Sequence, residues 1–410
     1  SHERRVRDRI VTLGKEACPS VSLSSEVLPV YREYERMSTT VMNAYIAPIM
    51  DRYLSGLEES LTGRRLRIMQ SNGGSISALT ARTLAARTAL SGPAAGVLGA
   101  YELAQRSGHD QIITLDMGGT SADVSVCPGH VQETSEGSIA GLPMHLPMID
   151  IHTVGAGGGS IARLDEGGAL LVGPESAGAD PGPVCYGQDG ALDITVTDAN
   201  LCLGRLDQDH FLGGQMKLDL ARTESQMQAI ARRMSLPLQA AAWGMIRVTN
   251  SNMERAIRVV SVERGHDPRD FTLVTFGGAG PLHACELAAA LWIPRVLIPA
   301  QPGVLSALGM TVADIVKDYA QTIMLPTESV DQGTLEGLFE PLRGRALAEL
   351  EAEGVGDDEL KLVPALDMRY TGQSYELTIP LDQWGTDPRQ SSLNRHVQRF
   401  HAEHRRRFSY

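Results

Sequence analysis

Residues 116–126 read Asp116-Met117-Gly118-Gly119-Thr120-Ser121-Ala122-Asp123-Val124-Ser125-Val126, and the reading of this stretch decides the fold. The apolar run Ile112 to Leu115 before it has the character of a buried strand and delivers Asp116 to the start of a tight turn. Ala122 to Cys127 alternates and is its hairpin partner. Within the turn, Gly118 and Gly119 carry no Cβ, so backbone N–H groups can face a phosphate, and Thr120 and Ser121 add hydroxyl donors. Asp116, with Asp123 as a second carboxylate, could hold Mg²⁺ through water, because that ion takes few carboxylates and keeps its hydration. An ordinary hairpin closed by Gly-Gly is the competing reading.

Two further glycine clusters lie outward from this turn. Thr275 to Pro281 closes the strand Phe271 to Phe276 and opens a helix over Leu282 to Leu291, so Gly277, Gly278, Ala279 and Gly280 are suited to pack against the adenosine or phosphate end of a nucleotide. Asp150 to Ser160 holds four glycines within five positions, which suggests an anion-holding nest at Gly157 and Gly158. Asp150 and His152, two apart on one side of a strand, could bind a second divalent metal or move a proton; a satisfied pair beside a loop is the plainer reading. Asp180 to Cys185, with Thr197 and Asp198, could line a substrate pocket, or could be a Pro-Gly turn and a helix cap. Cys185 lacks an assignable partner for a nucleophile's role, and His283 reads as structural.

At 410 residues the chain exceeds a single core, and 42% hydrophobic with 21% charged residues describes a folded protein of two or three domains. A net charge of −12 argues against nucleic acid and anionic membrane as partners. No apolar run reaches the roughly 18 residues of a spanning helix, and a cytoplasmic protein is expected. Five cysteines (Cys18, Cys127, Cys185, Cys202, Cys285) form no CxxC pair and read as reduced thiols.

Helices are expected over Glu35 to Leu61, from about Thr80, from Ser91 to about Arg106, over Arg222 to Met234, and over Leu238 to Arg264, where Gly265 caps the end. Gly129 to Leu203 reads as a long irregular region of functional loops. Beyond Asp318 come strands at Leu366 to Tyr370 and Tyr375 to Ile379 and a basic helical run from Leu393 to Tyr410. Ser1 to Ile10 reads as the middle of a helix, so both ends are expected to be fragment ends.

Taken jointly, SSEVLPVYREYERMSTTVMNAY (24–45), MQSNGG (69–74), ALSGPAAGVLGA (89–100), DMGGTSADVSV (116–126), DIHTVGAGGGSIA (150–162), AGADPGPVCYG (177–187), TDANLCLGRL (197–206), FTLVTFGGAGPLHA (271–284), PGVLSALGM (302–310) and DMRYTGQSYEL (367–377) resemble, in order, the hydantoinase A and 5-oxoprolinase family, which also includes ATP-using subunits of ketone carboxylases. The resemblance implies an α/β, ribonuclease H-like fold of the actin, hexokinase and heat-shock-70 kind, with an incomplete C-terminal α+β domain. It implies that 1–35 is the tail of a truncated N-terminal ribonuclease H-like domain, 36–320 the ATPase core and 321–410 the start of the C-terminal domain. Asp116 to Asp123 then matches the second phosphate motif and Gly277 to Gly280 the adenosine-side motif, while the first phosphate motif lies outside these residues.

The activity so implied is ATP- and Mg²⁺-dependent ring opening of a cyclic amide such as hydantoin, N-methylhydantoin or 5-oxoproline, with Asp116, Asp123, Asp150 and His152 as catalytic candidates and Asp116 as the metal ligand. A B-type hydantoinase subunit and an oligomeric assembly are the implied partners, and the fragment alone is expected to be inactive. A ketone carboxylase subunit and a non-catalytic actin-like ATP-binding protein are the alternatives. The elaborate Gly129 to Leu203 loops argue against the last.

Overall fold

The computed structural model describes residues 2–13, 20–139, 141–356, 360–381 and 393–408; Ser1, Cys18 and Tyr410 lie outside them. The chain divides into two compact units, one made by Ser1–Lys15, Leu23–Thr40 and Lys317–Tyr410, the other by Glu16–Ser22 and Val41–Val316.

The second unit is built on a five-stranded mixed sheet. Its strands in chain order are β1 (Gln111–Met117), β2 (Ala122–Pro128), β3 (His152–Val154), β4 (Thr272–Phe276) and β5 (Arg295–Leu297), and across the sheet they lie in the order β5-β4-β1-β2-β3. β1, β2 and β3 form an antiparallel meander, and β4 and β5 then run parallel to β1. The helices that serve the site are α1 (Ser91–Arg106), α2 (Val196–Cys202), α3 (Leu220–Arg233), α4 (Leu238–Val260), α5 (Ala284–Leu291) and α6 (Leu305–Val312).

Residues of β1 alternate between two buried faces, as a strand covered on both sides must. Ile113, Leu115 and Met117 join Met245, Ile246, Met253 and Ile257 of α4 in one core. Ile112 packs with Val274 and Phe276 of β4 and with Ala94, Val97 and Ala100 of α1 in the other. On that second side α1 and α6 approach through glycine: a Cβ on Gly99 would stand 2.6 Å from the Leu305 carbonyl oxygen. Asp116, next to last in β1, falls on the α1 face of the sheet by the same alternation.

The region expected to be irregular, Gly129 to Leu203, contains short paired strands. Glu133–Thr134 pairs with Met148–Ile149, and Gly137–Ile139 with Leu142–Met144. Ser160–Leu164 and Leu170–Ser176 form a hairpin, and α2 follows. The strands before Ser160 are only two or three residues long and show no periodicity in sequence, which is why that part reads as loop. The helix expected to reach Arg264 ends as α-helix at Val260, continues as a 3₁₀ turn over Val262–Arg264, and stops at Gly265 in the left-handed region, φ 82°.

The first unit is α+β in composition. Its hairpin, Ala365–Met368 with Leu377–Pro380, lays Met368, Leu377 and Ile379 against Phe400 of the helix Leu393–Phe408. Among the described residues no helix is long and apolar enough to cross a membrane.

Candidate functional site

β1 and β4 end side by side, with Asp116 opposite Phe276. The crevice beyond the carboxyl ends of parallel strands is where ligands bind in α/β sheets. β2 returns antiparallel and sets Asp123 directly opposite Asp116, so the two carboxylates share one face. Burial, and then repulsion from Asp123, push the Asp116 carboxyl up to about 6. Asp123 is also raised by burial, against the hydroxyl of Thr153, which donates to its Oδ1. Two half-buried carboxylates that resist ionising together are a donor set suited to a hydrated divalent cation.

The turn between them is open in front. Gly119 and Thr120 are exposed, and a Cβ on Gly118 or Gly119 would meet nothing within 4 Å. Neither glycine takes a positive φ, so the chain's own packing does not demand glycine at either position. Space kept clear over exposed backbone fits the close approach of an anion's oxygens.

Behind the turn the second glycine cluster is a brace, and this corrects the expectation of an anion nest. The N–H groups of Gly157, Gly158 and Gly159 are all engaged: Gly157 donates to Ser160 Oγ at 2.8 Å, Gly158 to the Gly118 carbonyl at 2.9 Å and Gly159 to the Gly119 carbonyl at 2.6 Å. A Cβ on Gly157 would lie 2.5 Å from Gly119 C and O and from Thr120 N, so only glycine lets the two loops touch. Thr197, in the first turn of α2, fixes the brace from its far side, its N–H and hydroxyl both donating to the Gly158 carbonyl at 2.7 and 2.8 Å. Thr153 and Ser160 are supports to which sequence reasoning gave no role, and Thr197, expected to line a pocket or belong to a helix cap, is a third support. Their partners are backbone atoms or carboxylates at 3 to 39 residues' distance along the chain, and no local pattern marks them.

The third loop closes the group. Gly277 has φ +80°, and a Cβ there would meet the Met117 carbonyl oxygen at 2.5 Å and run into the Asp116 carboxylate. Ala279 N–H donates to the Met117 carbonyl at 2.9 Å, and Gly277 N–H to the Pro302 carbonyl at 3.0 Å. Gly278 faces open space, whereas Gly280 sits against the Thr275 hydroxyl. The end of β1 is thus gripped by the other two loops, which leaves the Gly118 and Gly119 surface as the free face.

The remaining candidates resolve into supports. Asp150 does not join His152 at a metal centre: its carboxylate is taken by Arg264 Nη1 and, at 3.1 Å, Nη2. Its carbonyl accepts from Ser125 Oγ at 2.8 Å. His152 pairs across the sheet with Val124. Among the described residues no group of three or more His, Cys, Asp or Glu is placed to hold a metal, so the second divalent metal expected there has no cluster of ligands.

Asp198 is fully buried, caps α2, and accepts from the backbone N–H groups of Val184, Cys185 and Thr195 and from the Thr195 hydroxyl, all at 2.8 to 3.2 Å. The cap is the role it plays; it holds the 180–185 loop to the helix. Burial drives the Cys185 thiol far above its ordinary range, which removes it as a nucleophile. His283 is fully buried, and burial, with Arg205 next, holds it down at about 4.

Fold and site together define a mixed α/β protein that carries, at the ends of its parallel strands, an open glycine turn beside paired carboxylates. Exposed turn backbone beside paired carboxylates has the chemistry to take an anionic ligand together with a cation. The chain belongs to the hydantoinase/oxoprolinase family, whose profile its residues 36–319 match. It is 40% identical to caprolactamase subunit alpha of Pseudomonas jessenii over 100% of this chain and 60% of that protein. The crystal structure of the ATP-dependent caprolactamase from the same organism superposes with a TM-score of 0.81 at 36% identity, again over 100% of this chain and 60% of the other. The nucleotide-free structure of acetone carboxylase gives 0.77 at 31% identity, over 100% and 59%. The chain therefore spans about three-fifths of the length of these relatives.

Proposed function

We propose that the protein of which this chain is part uses ATP with Mg²⁺ to open a cyclic amide or imide, as the ATP-binding A-type subunit of such an enzyme. The observation that carries this reading is the open Gly118-Gly119 surface beside Asp116 and Asp123, with its backbone held rigid from behind by Gly157 to Gly159. The strand order, a three-stranded antiparallel meander followed by two parallel strands beside its first strand, supports a ribonuclease H-like, actin-like ATPase domain. Relatives whose names include ATP-dependent caprolactamase support the substrate class.

Asp116 and Asp123 would hold the Mg²⁺, which when bound would neutralise phosphate charge. The Gly118 N–H already donates to the Ser121 carbonyl at 3.1 Å, which closes the turn; preorganised N–H groups at Gly119 and Thr120 would stabilise the charge that builds on the transferring phosphoryl group. In the reaction the amide oxygen attacks the γ-phosphorus, an O–P bond forms, the bond from that phosphorus to the β,γ-bridging oxygen breaks, and ADP leaves. Water then adds to the activated carbon, the C–N bond breaks with its electron pair and a proton going to nitrogen, and the ring opens to an acyl phosphate; a second water displaces phosphate from that carbon and leaves the carboxylate. An amide is a poor electrophile, and making its oxygen a phosphate ester supplies the leaving group. A B-type partner subunit, cytoplasmic location and an oligomeric assembly complete the proposal; relatives named as subunits support the partner.

A second reading is an ATP-using ketone carboxylase subunit, favoured by the similarity to acetone carboxylase. Phosphate release by the full-length protein with its partner, measured with 5-oxoproline, hydantoin and caprolactam and with acetone plus bicarbonate, separates them. Stimulation by a cyclic amide is expected; stimulation by acetone and bicarbonate alone selects the carboxylase.

A further inference from the structure

One polar chain beside the Gly277 to Gly280 loop has no part in the reading above. Arg205, three residues beyond the end of α2, donates from Nη1 to the Leu282 carbonyl at 3.2 Å and from Nη2 to Glu286 of α5. Glu286 Oε2 accepts from Asn250 Nδ2 of α4 at 2.6 Å, and Asn250 Oδ1 lies 2.6 Å from His283 Nδ1. The directions are forced. A carboxylate only accepts, so the Asn250 amide nitrogen donates, its oxygen accepts, and His283 carries its proton on Nδ1. His283 Nε2, buried and without a hydrogen-bond partner among the described residues, is then a bare lone pair. The chain moves no proton to the surface; it fixes positions.

What it fixes is Arg205. The guanidinium carbon of Arg205 stands 4.5 Å from the centroid of the Trp243 ring, at the start of α4. The Arg205 side chain is 19% exposed and Trp243 is 40% exposed, so a flat, cation-bearing aromatic surface reaches solvent. Trp243 and Asn250 are seven residues apart, two turns along one face of α4, so the helix that presents the ring also carries the brace. Through Leu282 this surface flanks the Gly277 to Gly280 loop, whose Ala279 N–H holds the Met117 carbonyl at the end of β1 and whose Gly278 faces open space.

We infer that Trp243 and Arg205 form the platform on which the nucleotide's base stacks, locked in place by Glu286, Asn250 and His283. The inference rests on the nucleotide reading of the Gly118 turn. Rigid aromatic and guanidinium planes bind bases through their π-faces, and removing such a stack costs about 1–3 kcal/mol, about 5- to 150-fold in affinity.

The test is calorimetric titration of the full-length protein with Mg·ATP and, separately, with Mg·tripolyphosphate, which has the charge but no base. Trp243→Ala is expected to weaken ATP about 5- to 150-fold and leave tripolyphosphate unchanged, and Trp243→Phe to restore most of the ATP affinity. ATP bound as tightly by Trp243→Ala as by the wild type overturns the platform while leaving the phosphate turn intact. Equal loss of both ligands also overturns it, since Trp243 then serves the fold. A wild-type protein that binds neither ligand overturns the nucleotide reading and this inference with it.

Discussion

Asp116→Asn is expected to make the protein more stable and its phosphate chemistry worse. The native state holds the Asp116 proton more tightly than the unfolded chain does, because burial and Asp123 lift its pKa from 3.8 to about 6. A carboxyl raised in the folded state costs stability as pH rises between those values: below about 4 both states are protonated, and above about 6 the full penalty applies. The full shift corresponds to about 3 kcal/mol. Asp116 keeps some contact with solvent, so screening leaves about 1–2 kcal/mol. Asparagine has nearly the same shape and no charge, so the variant should gain that amount at pH 8, about 2–4 °C in Tm for a unit of this size. The gain should vanish below about pH 4. Thermal unfolding of both proteins from pH 4 to pH 8, read by circular dichroism, measures it. Equal Tm values at pH 8, or a gain that is largest in acid, would refute the reasoning about this carboxylate. In the full-length enzyme the same substitution should remove Mg²⁺-dependent ATP hydrolysis.

The two faces of the turn predict opposite behaviour for two glycines. Gly119→Val has open space before it and should keep the wild-type Tm while abolishing nucleotide affinity; Gly157→Ala must push backbone apart at 2.5 Å and should lower Tm. A Gly157→Ala protein with unchanged Tm would contradict the brace. Asp198→Ala strips four hydrogen bonds from a buried carboxylate and should cost at least about 3 kcal/mol by denaturant titration, whereas a loss near zero would show the cap to be dispensable. With a thiol reagent Cys285, which is exposed, should react fast, while Cys127, held up at about 12 by burial, and Cys185 should react only on unfolding; rapid labelling of Cys185 in the native protein would contradict its burial.

The hairpin around Asp116 was legible because strand, Gly-Gly turn and alternating return strand are all local patterns, and the register that pairs Asp116 with Asp123 follows from them. The parallel unit of β4 and β5 was legible for the same reason, through its strand, glycine turn and helix. The glycines at 157 to 159 were not. Glycine in a sequence states that backbone comes close to something, and what it comes close to here is another loop whose carbonyls take its N–H groups. Asp150 was misjudged because its partner, Arg264, is 114 residues away, and nothing near Asp150 announces an ion pair. Likewise the Arg205, Glu286, Asn250 and His283 chain joins two helices and two connecting segments, each ordinary when read alone.

The central claim is that the Gly118-Gly119 turn holds phosphate beside a cation on Asp116 and Asp123. A structure of the full-length protein with Mg²⁺ and a non-hydrolysable ATP analogue tests it most directly. The account predicts phosphate oxygens within hydrogen-bond distance of the backbone N–H groups of this turn, with the cation on the Asp116 and Asp123 side. An analogue bound with its phosphates away from residues 118–121 would contradict it.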